Sequence, residues 1–174
     1  MKIRTRMCTS LDGYISSADG LPVQLSDPEF DPEAYGFVEF QANSDAVLMG
    51  HTTLMPALEV ADQWPWSDVD VFVLASDRPA GTPDEVVIES DPERLLERVR
   101  EANRGRDVHL IGGPKTIETY RKLAAIDELG LVVLPILTGE GMQLTPAIKA
   151  DKRLELRSQR ALPRGAVELV YGSP

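Results

Sequence analysis

Residues 107–137 read DVHLIGGPKTIETYRKLAAIDELGLVVLPIL, and most of the fold follows from how the pattern changes along this stretch. Asp107 to Ile111 is a short apolar run and predicts a buried strand. Gly112-Gly113-Pro114 breaks it and places a proline at the first helical position, where its missing N–H is not needed. Ile117, Tyr120, Leu123 and Ala124 then recur at helical spacing and give one apolar face. Leu129 to Leu137 is strongly apolar and predicts another strand.

The same alternation extends upstream. Asp45 to Met49 (DAVLM) is a buried strand that runs into Gly50, and Thr53 to Val60 a short helix that Pro56 weakens. Val69 to Ala75 (VDVFVLA) is a β-branched strand followed by the turn residues SDRPAGTPD. Glu85 to Glu89 is a further short strand. Asp91-Pro92 reads as a cap followed by proline, and Leu95, Leu96, Val99 and Ala102 line one face of a helix ending near Asn103 to Gly105.

Nearer the N-terminus, Lys2 to Thr9 alternates charged with less polar residues, the period of a strand. SLDGYISSADGLPVQLSDPEFD is rich in Gly, Pro, Ser and Asp and reads as a long loop. Asp31-Pro32 caps a helix of about three turns carrying Phe30, Ala34, Phe37, Val38 and Gln41. At the other end, Arg153 to Ala161 and Ala166 to Tyr171 alternate around Leu162-Pro163-Arg164-Gly165, an antiparallel hairpin. The expected fold is α/β, with a mostly parallel central sheet, helices on its faces and an antiparallel C-terminal hairpin.

The chain has 174 residues, 18 Lys+Arg and 28 Asp+Glu, for a net charge of −10. This balance argues against a nucleic-acid binder, which needs a basic footprint. Hydrophobic residues make up 43%, enough for one compact domain over residues 1–174 with a core needing neither metal nor disulfide. The lone cysteine, Cys8, points to a reducing compartment. With no apolar run near the ~20 residues of a membrane span and no signal-peptide pattern, the expectation is a cytoplasmic protein with no membrane partner. Charge is uneven: Met7 to Leu95 holds eighteen acids against Arg78 and Arg94, while six of the compensating bases sit between Lys149 and Arg164. A phosphate bound in the acidic half therefore has to rely on backbone N–H groups and few cations.

Three turns lie where ligands sit in such sheets, at the carboxyl ends of strands. Gly112-Gly113-Pro114-Lys115-Thr116 opens a helix without a Cβ in the way of a phosphate, with Lys115 and Thr116 in its first turn. The pair equally suits a tight strand-to-helix turn that needs glycine for its backbone alone. Gly50-His51-Thr52-Thr53 offers two hydroxyls and an imidazole to a second phosphate, and reads alternatively as a Thr-capped helix start. Arg78 can grip a ribose phosphate bidentately beside Ser76, against the opposing charge of Asp77, or be a plain surface arginine. His51 and His109 are the only histidines and are remote from Cys8, so no metal site is expected. Neither a nucleophile elbow nor a Walker-type lysine is present.

Taken in order, SLDGYIS, VLMGHTT, VFVLASDRP and the block Leu110 to Gly141 resemble the dihydrofolate reductase superfamily. The likeness spans nearly the whole chain and is nearest to the C-terminal reductase domain of the bifunctional riboflavin-biosynthesis deaminase-reductase. The resemblance implies an oxidoreductase with a three-layer dihydrofolate-reductase-like fold, using NADPH, with NADH possible. Its substrate would be a pterin-like or ribosylamino-pyrimidine-like heterocycle, and the protein a homodimer joined through the Leu129 to Leu137 strand and the hairpin after it. An alternative is a non-catalytic nucleotide- or pterin-binding dimer that kept the fold.

Carried over by position, Gly50, His51, Thr52 and Thr53 would meet the adenosine-side phosphates. Ser76 and Arg78 would meet the adenosine ribose and its phosphate. Gly112, Gly113, Pro114, Lys115 and Thr116 would cradle the pyrophosphate, in a turn where relatives often have a cis Gly-Gly bond. Ile15 would pack near the nicotinamide, with Ser16 to Leu25 as a lid. Two acids are candidates for supporting protonation: Glu33 on the expected first helix, and Asp12, which in its position can instead fix the loop. The chain departs from the family where His51 replaces the usual arginine, Asp77 interrupts Ser-Arg, and Val23 replaces a tryptophan. The first two changes reduce attraction for a 2′-phosphate.

Overall fold

A computed structural model describes residues 1–60, 64–144 and 153–173, except for the side chain of Val60. The described elements are eight strands, four α-helices and two 3₁₀ turns. Strands β1 (Ile3–Thr9), β2 (Ser44–Gly50), β3 (Asp70–Leu74), β4 (Val87–Glu89), β5 (Asp107–Gly112), β6 (Glu128–Val133), β7 (Glu155–Ala161) and β8 (Val167–Gly172) follow one another along the chain. Their hydrogen-bonded order is β4-β3-β2-β5-β1-β6-β8-β7. The pairs β1/β5, β5/β2, β2/β3 and β3/β4 are parallel, and β6/β8 and β8/β7 antiparallel. This is the mostly parallel α/β sheet with an antiparallel C-terminal hairpin that the pattern implies.

The chain divides into two compact units: Met1–Arg4 with Ala42–Ile126, and Thr5–Gln41 with the chain from Asp127 onward. In the first unit all seven residues of β2 are buried, so its run is continuously apolar rather than alternating. Val47, Met49, Val71 and Val73 pack with Leu54 of helix α2 (His51–Val60), and Trp64 and Trp66 close on the same cluster. Helix α3 (Pro92–Ala102) packs on β3 and β4 through Leu95, Leu96 and Val99. Its start is fixed by Asp91, whose carboxylate accepts the Glu93 and Arg94 amides at 2.9 and 3.1 Å. Helix α4 (Pro114–Lys122) packs on β5 and β2.

In the second unit Cys8, Val23, Tyr35, Val132, Leu134 and Ala166 form the core. One expectation fails here. The helix predicted from Asp31 begins only at Phe37, as α1 (Phe37–Ala42). Asp31 does cap, accepting the Glu33 and Ala34 amides at 3.0 and 3.3 Å. The turn it starts ends at Gly36, whose φ of +72° takes the backbone out of the helical region. The Asp45 to Met49 strand is one residue longer at each end, and the Glu85 to Glu89 strand shrinks to β4.

The strand read from the alternation of Lys2 to Thr9 is present as β1. It is buried everywhere except at Arg4, because it is an interior strand. Arg6, 5% exposed, is paired with Glu168, 8% exposed. It also donates to the Tyr35 carbonyl and stacks over Phe37 at 4.9 Å. Glu168 is paired a second time with Arg160. β6 stops before the predicted Leu137, where Pro135 has no N–H to give to the ladder; Leu134 N–H donates to the Thr9 carbonyl at 2.8 Å, and past the proline only the Ile136 carbonyl takes part, accepting from Leu11 N–H at 2.9 Å. The hairpin turns at Pro163–Gly165 as expected, although β7 starts at Glu155 rather than Arg153. Lys149, at the head of the basic tail, lies outside the described residues.

Candidate functional site

The first unit brings two of the three candidate turns together. β2 and β5 are parallel neighbours with Met49 opposite Gly112, so their carboxyl ends finish side by side and each runs straight into a helix. The turn 50–53 opens α2, and the turn 112–116 opens α4. They approach closely: a Cβ placed on Gly50 would run into Thr116 Oγ1. Gly112 has a φ of +130°, in the region that favours glycine, and the Gly112–Gly113 peptide is cis.

Gly113 is different. Its φ is −82°, and a Cβ there would meet only Thr53 Oγ1, at 3.8 Å. Glycine at 113 is therefore not demanded by the packing; it keeps open the space in front of the Thr53 hydroxyl. Beyond it, the first intrahelical bond of α4 runs from Ile117 N–H to the Gly113 carbonyl, at 3.0 Å. Pro114 has no amide, so the Lys115 and Thr116 amides are those without an intrahelical acceptor. Lys115, His51 and Thr52 are exposed, Thr53 and Gly113 half-buried, and Thr116 buried. Two helix N-termini thus finish side by side, with the Thr53 hydroxyl before Gly113 and the exposed Lys115 in the first turn of α4. The N–H groups of such a pair of helix starts suit an anion, and two linked phosphates match their number. The residues therefore fit the diphosphate of a dinucleotide.

The third turn lies one strand further on, since Gly50 is in register with Leu74 of β3. Ser76, Asp77 and Arg78 are exposed. Ser76 Oγ donates to Asp77 Oδ1 at 2.8 Å. Arg78 directs Nη1 to the Pro83 carbonyl at 2.9 Å and Nη2 to the Val86 carbonyl at 2.6 Å, tying its own loop together.

The remaining candidates belong to the second unit. Asp12 is exposed, and its carboxylate accepts the Thr138 and Gly139 amides at 3.2 and 2.8 Å. The Ser10 hydroxyl first, and then the Gly139 and Thr138 amides, hold its pKa below the usual carboxylate value. This is the place of a loop clamp and keeps the group ionised. Ile15 is half-buried, donating to the Met142 carbonyl at 2.8 Å and accepting from the Val23 amide at 3.0 Å. Glu33 is exposed, in the turn before α1 rather than on a helix. The segment expected to be a lid holds a tight turn at Gly20, where the Ser17 amide donates to the Leu21 carbonyl at 2.9 Å. Val23 is fully buried in the core.

Thr138 and Gly139 were not singled out as partners of Asp12; the TGEG run they belong to, dense in turn residues, carries the signal. His109 is a buried strand residue. Among the described residues no group of His, Cys, Asp or Glu is arranged to hold a metal ion.

The sheet order and its strand-end turns define a dihydrofolate-reductase-like α/β domain. Within that class, the chain belongs to the RibD C-terminal domain family, whose model matches residues 1–167. It is 25% identical to YwjB of Bacillus subtilis (strain 168) over 166 residues, covering 95% of this chain and 94% of that one; YwjB is itself uncharacterized. Among solved structures it is similar to a putative riboflavin biosynthesis protein from Shewanella sp. PV-4. The TM-score is 0.81 at 25% identity, covering 100% and 99% of the two chains. It also shares the fold of a diaminohydroxyphosphoribosylaminopyrimidine deaminase/5-amino-6-(5-phosphoribosylamino)uracil reductase from Thermotoga maritima. There the TM-score is 0.73 at 15% identity, over 99% of this chain and 56% of that one. No described helix is long and apolar enough to cross a membrane.

Proposed function

We propose that this chain is a nicotinamide-dinucleotide-dependent reductase of a small heterocyclic molecule, pterin-like or ribosylamino-pyrimidine-like. The observation that carries the reading is the paired turns: Gly50 in contact distance of Thr116, and Gly113 holding open the space before Thr53. Membership of the RibD C-terminal domain family supports it, since RibD reductase domains use NADPH. When bound, the cofactor supplies a hydride from the C4 position of its nicotinamide ring.

The chain's own part is binding and orientation. The Thr52, Thr53, Lys115 and Thr116 amides would hold the diphosphate, with the Thr53 hydroxyl as a further donor and the Lys115 ammonium to offset its charge. Asp12 holds the loop around Ile15 in place through Thr138 and Gly139. The test is a stopped-flow or spectrophotometric assay of dinucleotide oxidation at 340 nm over a panel of dihydropterins and ribosylamino-pyrimidines. Turnover with one class supports the proposal, and absence of binding overturns it.

A second reading, a non-catalytic nucleotide-binding protein, draws on two observations: the ionised clamp role of Asp12 and the exposure of Glu33. Stoichiometric binding without oxidation over the same panel would select it. As to assembly, we propose a homodimer joined through the hairpin. β6 lies between two strands, whereas β7 ends the strand order and is exposed along its whole length, with Leu156 48% exposed. Light scattering should give twice the chain mass of 19.1 kDa.

A further inference from the structure

The turn after β3 carries chemistry that the paired turns do not explain. β3 is the second strand from β5, so at a strand spacing of about 4.8 Å the Ser76–Arg78 turn lies roughly 10 Å from the Gly113 turn along the sheet edge. A dinucleotide whose diphosphate sits between the turns 50–53 and 112–116 carries a nucleoside over that distance, and the strand-end side chain beside its ribose decides what the ribose can bear at its 2′ position.

That side chain is a carboxylate. Asp77 is exposed and accepts the Ser76 hydroxyl on one oxygen, at 2.8 Å, which leaves its other oxygen an acceptor for a hydroxyl donor. Arg78 points both terminal nitrogens at carbonyls of its own loop, Pro83 at 2.9 Å and Val86 at 2.6 Å. The same connection adds two more exposed acids, Asp84 and Glu85. An acceptor matched to a diol, a guanidinium fork turned inward and a negative surround suit a ribose with both hydroxyls. They oppose a 2′-phosphate, an acceptor of charge near −2 with no proton to give.

From this geometry we infer that the Ser76-Asp77-Arg78 turn selects the dinucleotide without a 2′-phosphate, and that Asp77 sets the choice. The inference rests on the dinucleotide reading of the paired turns and reverses the NADPH expectation that the resemblance carries. Arg78 acts as a structural tie for the loop, not as a phosphate ligand.

Calorimetric titration of the full chain with NADH and with NADPH, at one ionic strength, tests both levels. The native protein should bind NADH at least about tenfold more tightly than NADPH, since like charges set against each other in a binding site are strongly unfavourable. Asp77→Asn should bring the ratio to within about threefold, mainly by tightening NADPH. Arg78→Met should leave the ratio as it is. Equal affinity, an NADPH preference in the native protein, or a selective loss of NADPH affinity in Arg78→Met overturns the inference while leaving the dinucleotide reading intact. Binding of neither dinucleotide overturns both.

Discussion

Replacing Gly113 separates the needs of the fold from those of the ligand. The added Cβ lies 3.8 Å from Thr53 Oγ1, an ordinary van der Waals contact, at a backbone φ that any L-residue adopts. Gly113→Ala and Gly113→Val should therefore change stability by no more than about 1 kcal/mol. Binding is another matter. A phosphate oxygen accepting from Thr53 would sit about 2.7 Å from its hydroxyl, inside the volume the new side chain takes. Losing one charge-assisted hydrogen bond costs about 1.5–3 kcal/mol, and losing two about 3–6 kcal/mol. At about 1.4 kcal/mol per decade, the two-bond loss weakens dinucleotide binding roughly a hundredfold to ten-thousandfold. Calorimetry gives the affinity, and circular dichroism with thermal melting checks the fold. A folded Gly113→Val protein whose affinity stays within threefold of the native value would refute the phosphate assignment.

Gly50→Ala should cost about 1–3 kcal/mol by forcing a Cβ into Thr116 Oγ1, and Thr116→Ala in the same chain should restore most of it, as urea midpoints will report. Arg6→Met leaves the buried Glu168 without its principal partner and should cost about 3–5 kcal/mol in urea denaturation, tempered by Arg160. Burial pushes the Cys8 thiol up to about 12. A raised pKa contributes stability below the unfolded value, near 9, and loses it as pH climbs toward 12, so Cys8 should react with a disulfide reagent at pH 8 only at the rate of unfolding. For Asp12 the sign is reversed: its depressed pKa supports the loop above the ordinary carboxylate value and releases it as pH falls through the folded one. The protection factors of the Thr138 and Gly139 amides, taken against the intrinsic exchange rate at each pH, should fall at low pH, and Asp12→Asn should remove that pH dependence.

The alternation of strands and helices between Ser44 and Val133 was readable because each element carries its own period and punctuation, as Asp91-Pro92 and Gly112-Gly113-Pro114 show. What the sequence left hidden depends on tertiary pairing. The period of Lys2 to Thr9 marks β1 as a strand, but not that Glu168, far along the chain, pairs with its buried Arg6. The helix expected from Asp31 has a true cap and a true proline, but Gly36 turns the chain to a positive φ after one turn. At the candidate site, the positions of the turns were legible while their meanings were not. Spacing weighs a phosphate cradle and a tight turn equally at Gly112-Gly113. Only the contacts show that Gly50 is held by packing against Thr116, whereas Gly113 faces open space. Likewise the sequence leaves Arg78 open between a phosphate ligand and a surface arginine, and Asp12 between an acid and a loop fastener; the structure adds the bonds of Arg78 to Pro83 and Val86 and those of Asp12 from Thr138 and Gly139.

The central claim, that the paired turns hold the diphosphate of a dinucleotide, is tested most directly by following backbone amide resonances during titration with NADH. The Thr52, Thr53, Lys115 and Thr116 amides should shift together, with one saturation curve, and the Gly113→Val protein should show none of these shifts. Binding that leaves those four amides unmoved while shifting others would contradict it.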